Sequence, residues 1–198
     1  MIEFWFDFGS NYSYLSVMRI EALARRHGVT VTWRPFLLGP IFRSLGWESS
    51  PFLAQAQKLR YVWRDMARRC DAYDLPWTVP TTFPRRSILP ARVTLLGAGE
   101  PWIGEFCRQV MQINFAADRD IDGADTIARV LDRLGLPAND LLERALSPAN
   151  KEALHAQTAR AASLGIFGAP TFFVGDEMFW GDDRLDDAMA FATRPISS

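Results

Sequence analysis

Phe6-Asp7-Phe8-Gly9-Ser10-Asn11-Tyr12-Ser13-Tyr14, near the start of the chain, decides its fold together with Gly168-Ala169-Pro170-Thr171-Phe172-Phe173-Val174, near the end. The first stretch is an apolar strand running through a glycine into a helix start. Ile2, Phe4, Phe6 and Phe8 alternate with Glu3, Trp5 and Asp7, the period of a strand over residues 2–8 with one more buried face. Ser10 stands where an N-cap belongs. Leu15, Met18 and Ala22 come after it at helical spacing up to Gly28, a natural helix stop. Val29, Val31 and Trp33 then alternate with Thr30, Thr32 and Arg34. The opening therefore reads β-α-β, a parallel crossover expected to be right-handed.

The second stretch opens a strand at Thr171–Val174. Gly175-Asp176 turns the chain into another short run, Glu177–Trp180, which is a hairpin signal. Gly181 breaks that run, Asp182 or Asp183 is placed to cap the next element, and Leu185, Ala188 and Met189 close the chain with a helix. Between the two ends, residues 38–160 are helical and punctuated by Pro and Gly. Leu59, Val62, Trp63, Met66 and Cys70 form one apolar stripe and Ile103, Phe106, Val110 and Met111 another. Ile127, Val130, Leu131 and Leu134 form a third. Stripes of this kind are core, and no chemistry is assigned to them. The order β-α-β, helical block, β-β-α is that of an α/β thioredoxin-like fold with a large all-helical insertion. Residues 1–37 and 161–198 are expected to form the discontinuous thioredoxin-like domain and residues 38–160 the insertion.

Composition narrows the function. A length of 198 residues, 48% hydrophobic and 13% aromatic, suits a soluble globular protein with a substantial core. A formal net charge of -1 gives no electrostatic case for nucleic acid or an anionic membrane. The N-terminal segment lacks the pattern of a signal peptide, and no stretch approaches the ~20 apolar residues of a membrane span. A cytoplasmic setting is the expectation. Cys70 and Cys107 lie far apart in helical patterns and read as buried thiols, not as a disulfide. His27 and His155, without a Cys/His cluster, give no metal signature.

Ser10 has a plain role as a helix cap and a chemical one beside it. A helix N-terminus presents unpaired N–H groups and partial positive charge, which favour an anion. A thiolate supplied from outside is stabilised in such a place, and the Ser10 hydroxyl can donate to its sulfur. Ser10 and Ser13 stand where a redox thioredoxin-like protein carries Cys-x-x-Cys, and a hydroxyl cannot exchange a disulfide. Pro170 is either an ordinary strand-opening proline or a cis one. In the cis form the Ala169 backbone is expected to be unpaired and open to an extended peptide laid beside it. At Trp180-Gly181-Asp182-Asp183, backbone N–H groups suit a carboxylate and an aspartate suits an ammonium, so both ends of an α-amino acid can be held there. Two aspartates complementing a helix dipole is the plainer account of the same residues.

Phe6-Asp7-Phe8-x-Ser10-x-x-Ser13-Tyr14-Leu15, Phe167-Gly168-x-Pro170-Thr171 and Gly175-Asp176-Glu177-Met178-Phe179-Trp180-Gly181-x-Asp183-Arg184-Leu185 together resemble the 2-hydroxychromene-2-carboxylate isomerases, DsbA-like proteins related to kappa-class glutathione transferases. The likeness runs over nearly the full length and is sharpest at the two ends. It implies glutathione as cofactor, with Ser10 as the catalytic residue facing its sulfur. Ala169 and Pro170 would pair with the cysteinyl backbone. Trp180, Gly181, Asp182 and Asp183 would hold the γ-glutamyl end, and Lys58 matches a basic position near glutathione or substrate. It implies reversible addition of the thiolate to an unsaturated ring-opened aromatic substrate, rotation about the former double bond, and loss of the thiolate. A homodimer is implied as well.

The middle departs from that pattern. Near Pro51 the isomerases are expected to carry a polar, cationic pair that grips the substrate, and this chain has Phe52-Leu53. Phe42, Phe52, Leu53 and Arg85 are the substrate-side candidates. Arg85 and Arg86 occupy a Pro-bounded segment that is able to face the cleft, although a solvated charge is the commoner fate of such residues. A more apolar acceptor pocket is expected. A kappa-like glutathione transferase or peroxidase is the alternative on the same scaffold, and a redox-inactive thioredoxin-like binding module is the non-catalytic one.

Overall fold

The computed structural model describes residues 1–48 and 50–194. Its elements run β1 (Ile2–Phe6), α1 (Asn11–His27), β2 (Val31–Pro35), α2 (Leu38–Ser44), α3 (Ala56–Ala72), α4 (Ile88–Leu96), α5 (Ile103–Phe115), α6 (Ala124–Arg133), α7 (Ala138–Leu146), α8 (Pro148–Ser163), β3 (Thr171–Val174), β4 (Glu177–Trp180), a short 3-10 turn (Asp182–Arg184) and α9 (Leu185–Ala192). The four strands form one mixed sheet in the order β2-β1-β3-β4. β1 and β2 pair in parallel, Phe4 opposite Trp33, and β3 runs antiparallel to both β1 and β4.

β1 is two residues shorter than its alternation predicts, because Asp7 leaves the ladder. Its carboxylate accepts the Gly9 and Leu38 N–H groups and turns the chain toward α1. The strand is also buried on both faces, not one. Phe4, Phe6, Trp33 and Phe172 join the large core that includes residues of α1, α5 and α9. Trp5 and Phe173, pointing the other way, pack with Phe36, Ile41, Ala161 and Ile166. A central strand that is covered on both sides carries aromatic residues at consecutive positions, which is why Trp5 escapes the simple pattern.

The three predicted helical stripes point inward as expected. Val62, Met66 and Cys70 of α3 are buried, as are Ile103, Phe106, Val110 and Met111 of α5 and Ile127, Val130 and Leu131 of α6. They belong to the same core cluster as β1 and α1, so the helical stretch and the sheet share one interior. Helices α2 to α8 occupy residues 38–163, and the segment 73–87 between α3 and α4 is irregular. Cys70 and Cys107 are buried and free. Burial pushes the Cys70 thiol up to about 12 and raises Cys107 further, so neither is a ready nucleophile. Among the described residues no helix is long and apolar enough to cross a membrane, and no group of three His, Cys, Asp or Glu side chains is arranged to hold a metal.

Candidate active site

Ser10 is where the two ends of the chain meet. The Asp7 carbonyl accepts the Ser10 N–H at 3.0 Å, closing a turn that delivers Ser10 to the start of α1. Its backbone is extended, with φ -88° and ψ 118°, and its Oγ accepts the Ser13 N–H at 3.2 Å, as an N-cap should. The same hydroxyl donates to the Ala169 carbonyl at 2.9 Å, across 159 residues of sequence. The Ala169–Pro170 peptide is cis. The expectation of an unpaired Ala169 backbone therefore needs correcting: its carbonyl is taken by Ser10. Its N–H has no protein acceptor among the described residues, and neither do the N–H groups of Asn11 and Tyr12 in the first turn of α1.

The loop from Asp7 to Ser10 is held from outside. Asn114, fully buried on α5, donates its amide to the Phe8 carbonyl at 2.8 Å. Arg85 in turn donates to the Asn114 side chain at 2.9 Å and pairs with Asp118. Arg85 is 9% exposed and its guanidinium is bound into this framework, so the structure does not turn it to a cleft. Arg86 is exposed and pairs with Asp122 at 2.6 Å.

Beyond Pro170, the Gly181 N–H donates to the Pro170 carbonyl at 2.9 Å, joining the β4 end to the Ser10 loop. Gly181 has φ +108°, a conformation that a side chain resists. Trp180 is 52% exposed and stands edge-on to Phe167, with ring centroids 4.7 Å apart. Its indole lies over Gly168 where any Cβ would clash. The two neighbouring aspartates then part company. Asp183 is exposed and, among the described residues, its charged partner is Arg184 at 3.3 Å. Asp182 is 2% exposed and accepts from Ser16 at 2.9 Å, Arg19 at 3.3 Å and Arg69 at 2.7 Å. Such a caged carboxylate has no lone pair turned to a ligand, which removes Asp182 from the expected ammonium contact.

On the side facing the helices, Lys58 is exposed and its ammonium lies 5.6 Å from the Phe52 ring centroid. Phe52 meets the Tyr12 ring at 6.5 Å, two residues beyond Ser10. The Tyr12 hydroxyl donates to Asp65 at 2.9 Å; burial and that carboxylate push the phenol well above its usual range. Leu53 is exposed at 43% and Phe42 of α2 is half-buried. The geometry thus gathers Ser10, Ala169, Pro170, Trp180 and Gly181 directly, and brings Phe52 and Lys58 alongside through Tyr12. Sequence reading missed Asn114, Tyr12, Asp7 and Ser87, whose hydroxyl donates to the Asp7 carboxylate at 2.7 Å. Of these only Asp7, an acidic residue ending an apolar strand, carries a local signal.

A family profile described as the DSBA-like thioredoxin domain matches residues 1–190, and the chain belongs to that family. Within it, the chain is 29% identical over 185 residues to the 2-hydroxychromene-2-carboxylate isomerase of Sphingobium xenophagum, covering 93% of this chain and 94% of the relative. A solved structure of a 2-hydroxychromene-2-carboxylate isomerase superposes with a TM-score of 0.86 at 27% identity, covering 96% of this chain and 94% of that one. The chain is also similar to glutathione S-transferase kappa 1 of Caenorhabditis elegans, at 24% identity over 207 residues, covering 93% of this chain and 87% of the relative.

Proposed function

We propose that the protein is a glutathione-dependent isomerase of 2-hydroxychromene-2-carboxylate or a related aromatic-catabolic intermediate. The observation that carries the reading is the Ser10 hydroxyl at the start of a 17-residue helix, donating to the carbonyl that precedes a cis proline. With serine at both 10 and 13, the site offers hydrogen bonds to a thiol and no thiol of its own.

The residues fit a tripeptide thiol. The Ser10 hydrogen can swing about Cβ–Oγ without moving the oxygen, so the cap on Ser13 survives while the donor turns to a sulfur. The Ala169 carbonyl, released by that swing, is free to accept a ligand N–H, and the Ala169 N–H is available to a ligand carbonyl. The first-turn N–H groups of Asn11 and Tyr12 add positive potential at the same place. Asp183 is the exposed carboxylate suited to an ammonium, and Lys58 the exposed cation suited to a carboxylate. When bound, glutathione supplies a thiolate that adds reversibly to a conjugated acceptor. The protein's part is to hold the sulfur ionised, orient the tripeptide and present the acceptor from the Phe52 side. The homodimer that the resemblance implies, and the cytoplasmic setting expected from the sequence, belong to the same proposal.

Conjugation or peroxide reduction, as a kappa-like transferase, is the second reading. The apolar Phe52-Leu53 pair favours it, since neither of these two side chains can pair an acceptor carboxylate. Isomerisation of 2-hydroxychromene-2-carboxylate with glutathione, without conjugation of a chlorinated aromatic, supports the first reading, and the reverse supports the second. Absence of any glutathione-induced rise in melting temperature at millimolar ligand contradicts both and leaves the binding module.

A further inference from the structure

Asp7 ends β1 inside the strand-to-helix motif, yet neither the cofactor nor the acceptor role uses it. It is 7% exposed, and its carboxylate accepts from three donors. Oδ1 accepts the Gly9 N–H at 2.8 Å and the Ser87 hydroxyl at 2.7 Å; Oδ2 accepts the Leu38 N–H at 2.7 Å. These donors come from three separate places: the Ser10 loop, the start of α2 and the start of α4. Ser87 sits at the N-cap position of α4 but caps nothing, because its hydroxyl is directed to Asp7. The contact is close on the backbone side too. A Cβ on Gly9 would lie 3.0 Å from the Arg85 carbonyl oxygen and 3.5 Å from the Pro84 side chain.

We infer that Asp7 is the positioning residue of this site, its carboxylate setting Ser10 against the two segments, 36–42 and 83–87, that approach from the helical stretch. The inference rests on the isomerase reading for its kinetic consequence, and on geometry alone for its structural one. Asp7 touches neither cofactor nor acceptor. It bonds the residue before Ser10 and the first residue of α2, which carries Phe42. The ligand anchors at Ala169 and Asp183 lie on elements that Asp7 does not bond. Loosening it therefore misplaces Ser10 relative to the acceptor side while leaving tripeptide binding largely intact.

Asp7→Asn is nearly isosteric, but its amide N–H₂ must face a donor at one of the two oxygen positions. Ser87→Ala removes a single donor and leaves the two backbone bonds. The test measures kcat and KM for isomerisation, glutathione affinity by calorimetry and the crystal structure of each variant, all at a temperature where circular dichroism shows the protein folded. The expected result is a fall in kcat of about 30-fold for Asp7→Asn and about 3-fold for Ser87→Ala, with glutathione Kd changed by less than about 3-fold. In the Asp7→Asn crystal Ser10 and the 83–87 segment shift relative to each other, while the Ser10 Oγ to Ala169 oxygen distance, 2.9 Å in the parent, is kept. Unchanged kcat in a folded Asp7→Asn protein, or an unmoved Ser10 and 83–87 segment, overturns the inference. If Asp7→Asn does not fold, a Ser87→Ala protein with parental kcat and parental geometry overturns it equally. Failure of the parent protein to bind glutathione sinks the isomerase reading, and the crystallographic comparison still decides the role of Asp7.

Discussion

The chain has two strand-to-helix junctions in its candidate site, and they are built differently. At the first, β1 to α1, the turn into the helix is tied down: Asp7 by three donors, the Phe8 carbonyl by Asn114, Ser10 by its own helix and by Ala169. At the second, β4 to the turn at Asp182–Arg184, the strand is an open edge and Trp180 and Asp183 are exposed. A rigid junction suits the group that must meet a reacting atom within a fraction of an ångström, and an open one suits a group that captures a charged ligand end. The second junction does have a rigid component, Asp182, but it faces away from solvent.

That division is broken most forcefully by removing Asp182. Asp182→Ala leaves Arg19 and Arg69, each partly exposed, without their shared carboxylate. The expected loss is about 3 kcal/mol, or roughly 6–12 °C in Tm. Asp183→Ala, one residue on, is expected to change stability by less than about 0.5 kcal/mol. Thermal melts of the two variants side by side test the contrast, and equal losses contradict it.

Next in size is the hydroxyl proposed to face the cofactor sulfur. Ser10→Ala is expected to lower isomerase turnover about 100-fold, the effect of losing one donor to a developing anion, and stability by only about 1 kcal/mol. Steady-state kinetics with the fraction folded measured in parallel separate the two. Asp183→Ala sharpens the comparison from the other side: glutathione Kd is expected to rise about 10-fold, the scale of one charge-assisted hydrogen bond, with kcat at saturation unchanged. Calorimetric titration measures it.

How much of the site was legible in the sequence depended on the reach of each interaction. The Ser10 cap, the Gly175-Asp176 turn and the helical stripes rest on neighbours within a few residues, so spacing exposed them. The fate of the two aspartates does not. Asp182 is claimed by Arg69, 113 residues away, and Arg85 by Asn114, 29 residues away. Nothing in the local pattern distinguishes Asp182 from Asp183, or a cleft-facing arginine from one bound into the framework. Asp7 lay between these cases: its Asx contact to Gly9 is local, but Leu38 and Ser87 are not.

Two carboxylates give the comparison a pH signature of opposite sign. Asp118 is held below the usual carboxylate range, first by the Arg85 hydrogen bond and then by the Thr81 N–H. Its contribution is present above the unfolded pKa of about 4 and is lost as pH falls through the lower folded value. Asp7 is pushed up, first by burial, with the Leu38, Gly9 and Ser87 contacts pulling it partly back. Its titration contributes stability that is complete below about pH 4 and is lost as pH climbs through the raised folded value. Asp118→Asn is therefore expected to flatten the acid limb of a Tm-against-pH curve, and an unchanged limb contradicts this. The smallest effect belongs to Ser13, whose buried hydroxyl has no partner among the described residues. Ser13→Ala is expected to be stability-neutral or stabilising by up to about 1 kcal/mol, read by denaturant titration.

The most direct test is a crystal structure with glutathione at saturating concentration. The expected result is the sulfur about 3–3.5 Å from Ser10 Oγ, with the cysteinyl backbone on Ala169 in place of the Ser10–Ala169 hydrogen bond. Density with the sulfur elsewhere, or a Ser10 hydroxyl still bonded to the Ala169 carbonyl and no tripeptide beside it, would contradict the claim that this serine serves a borrowed thiol.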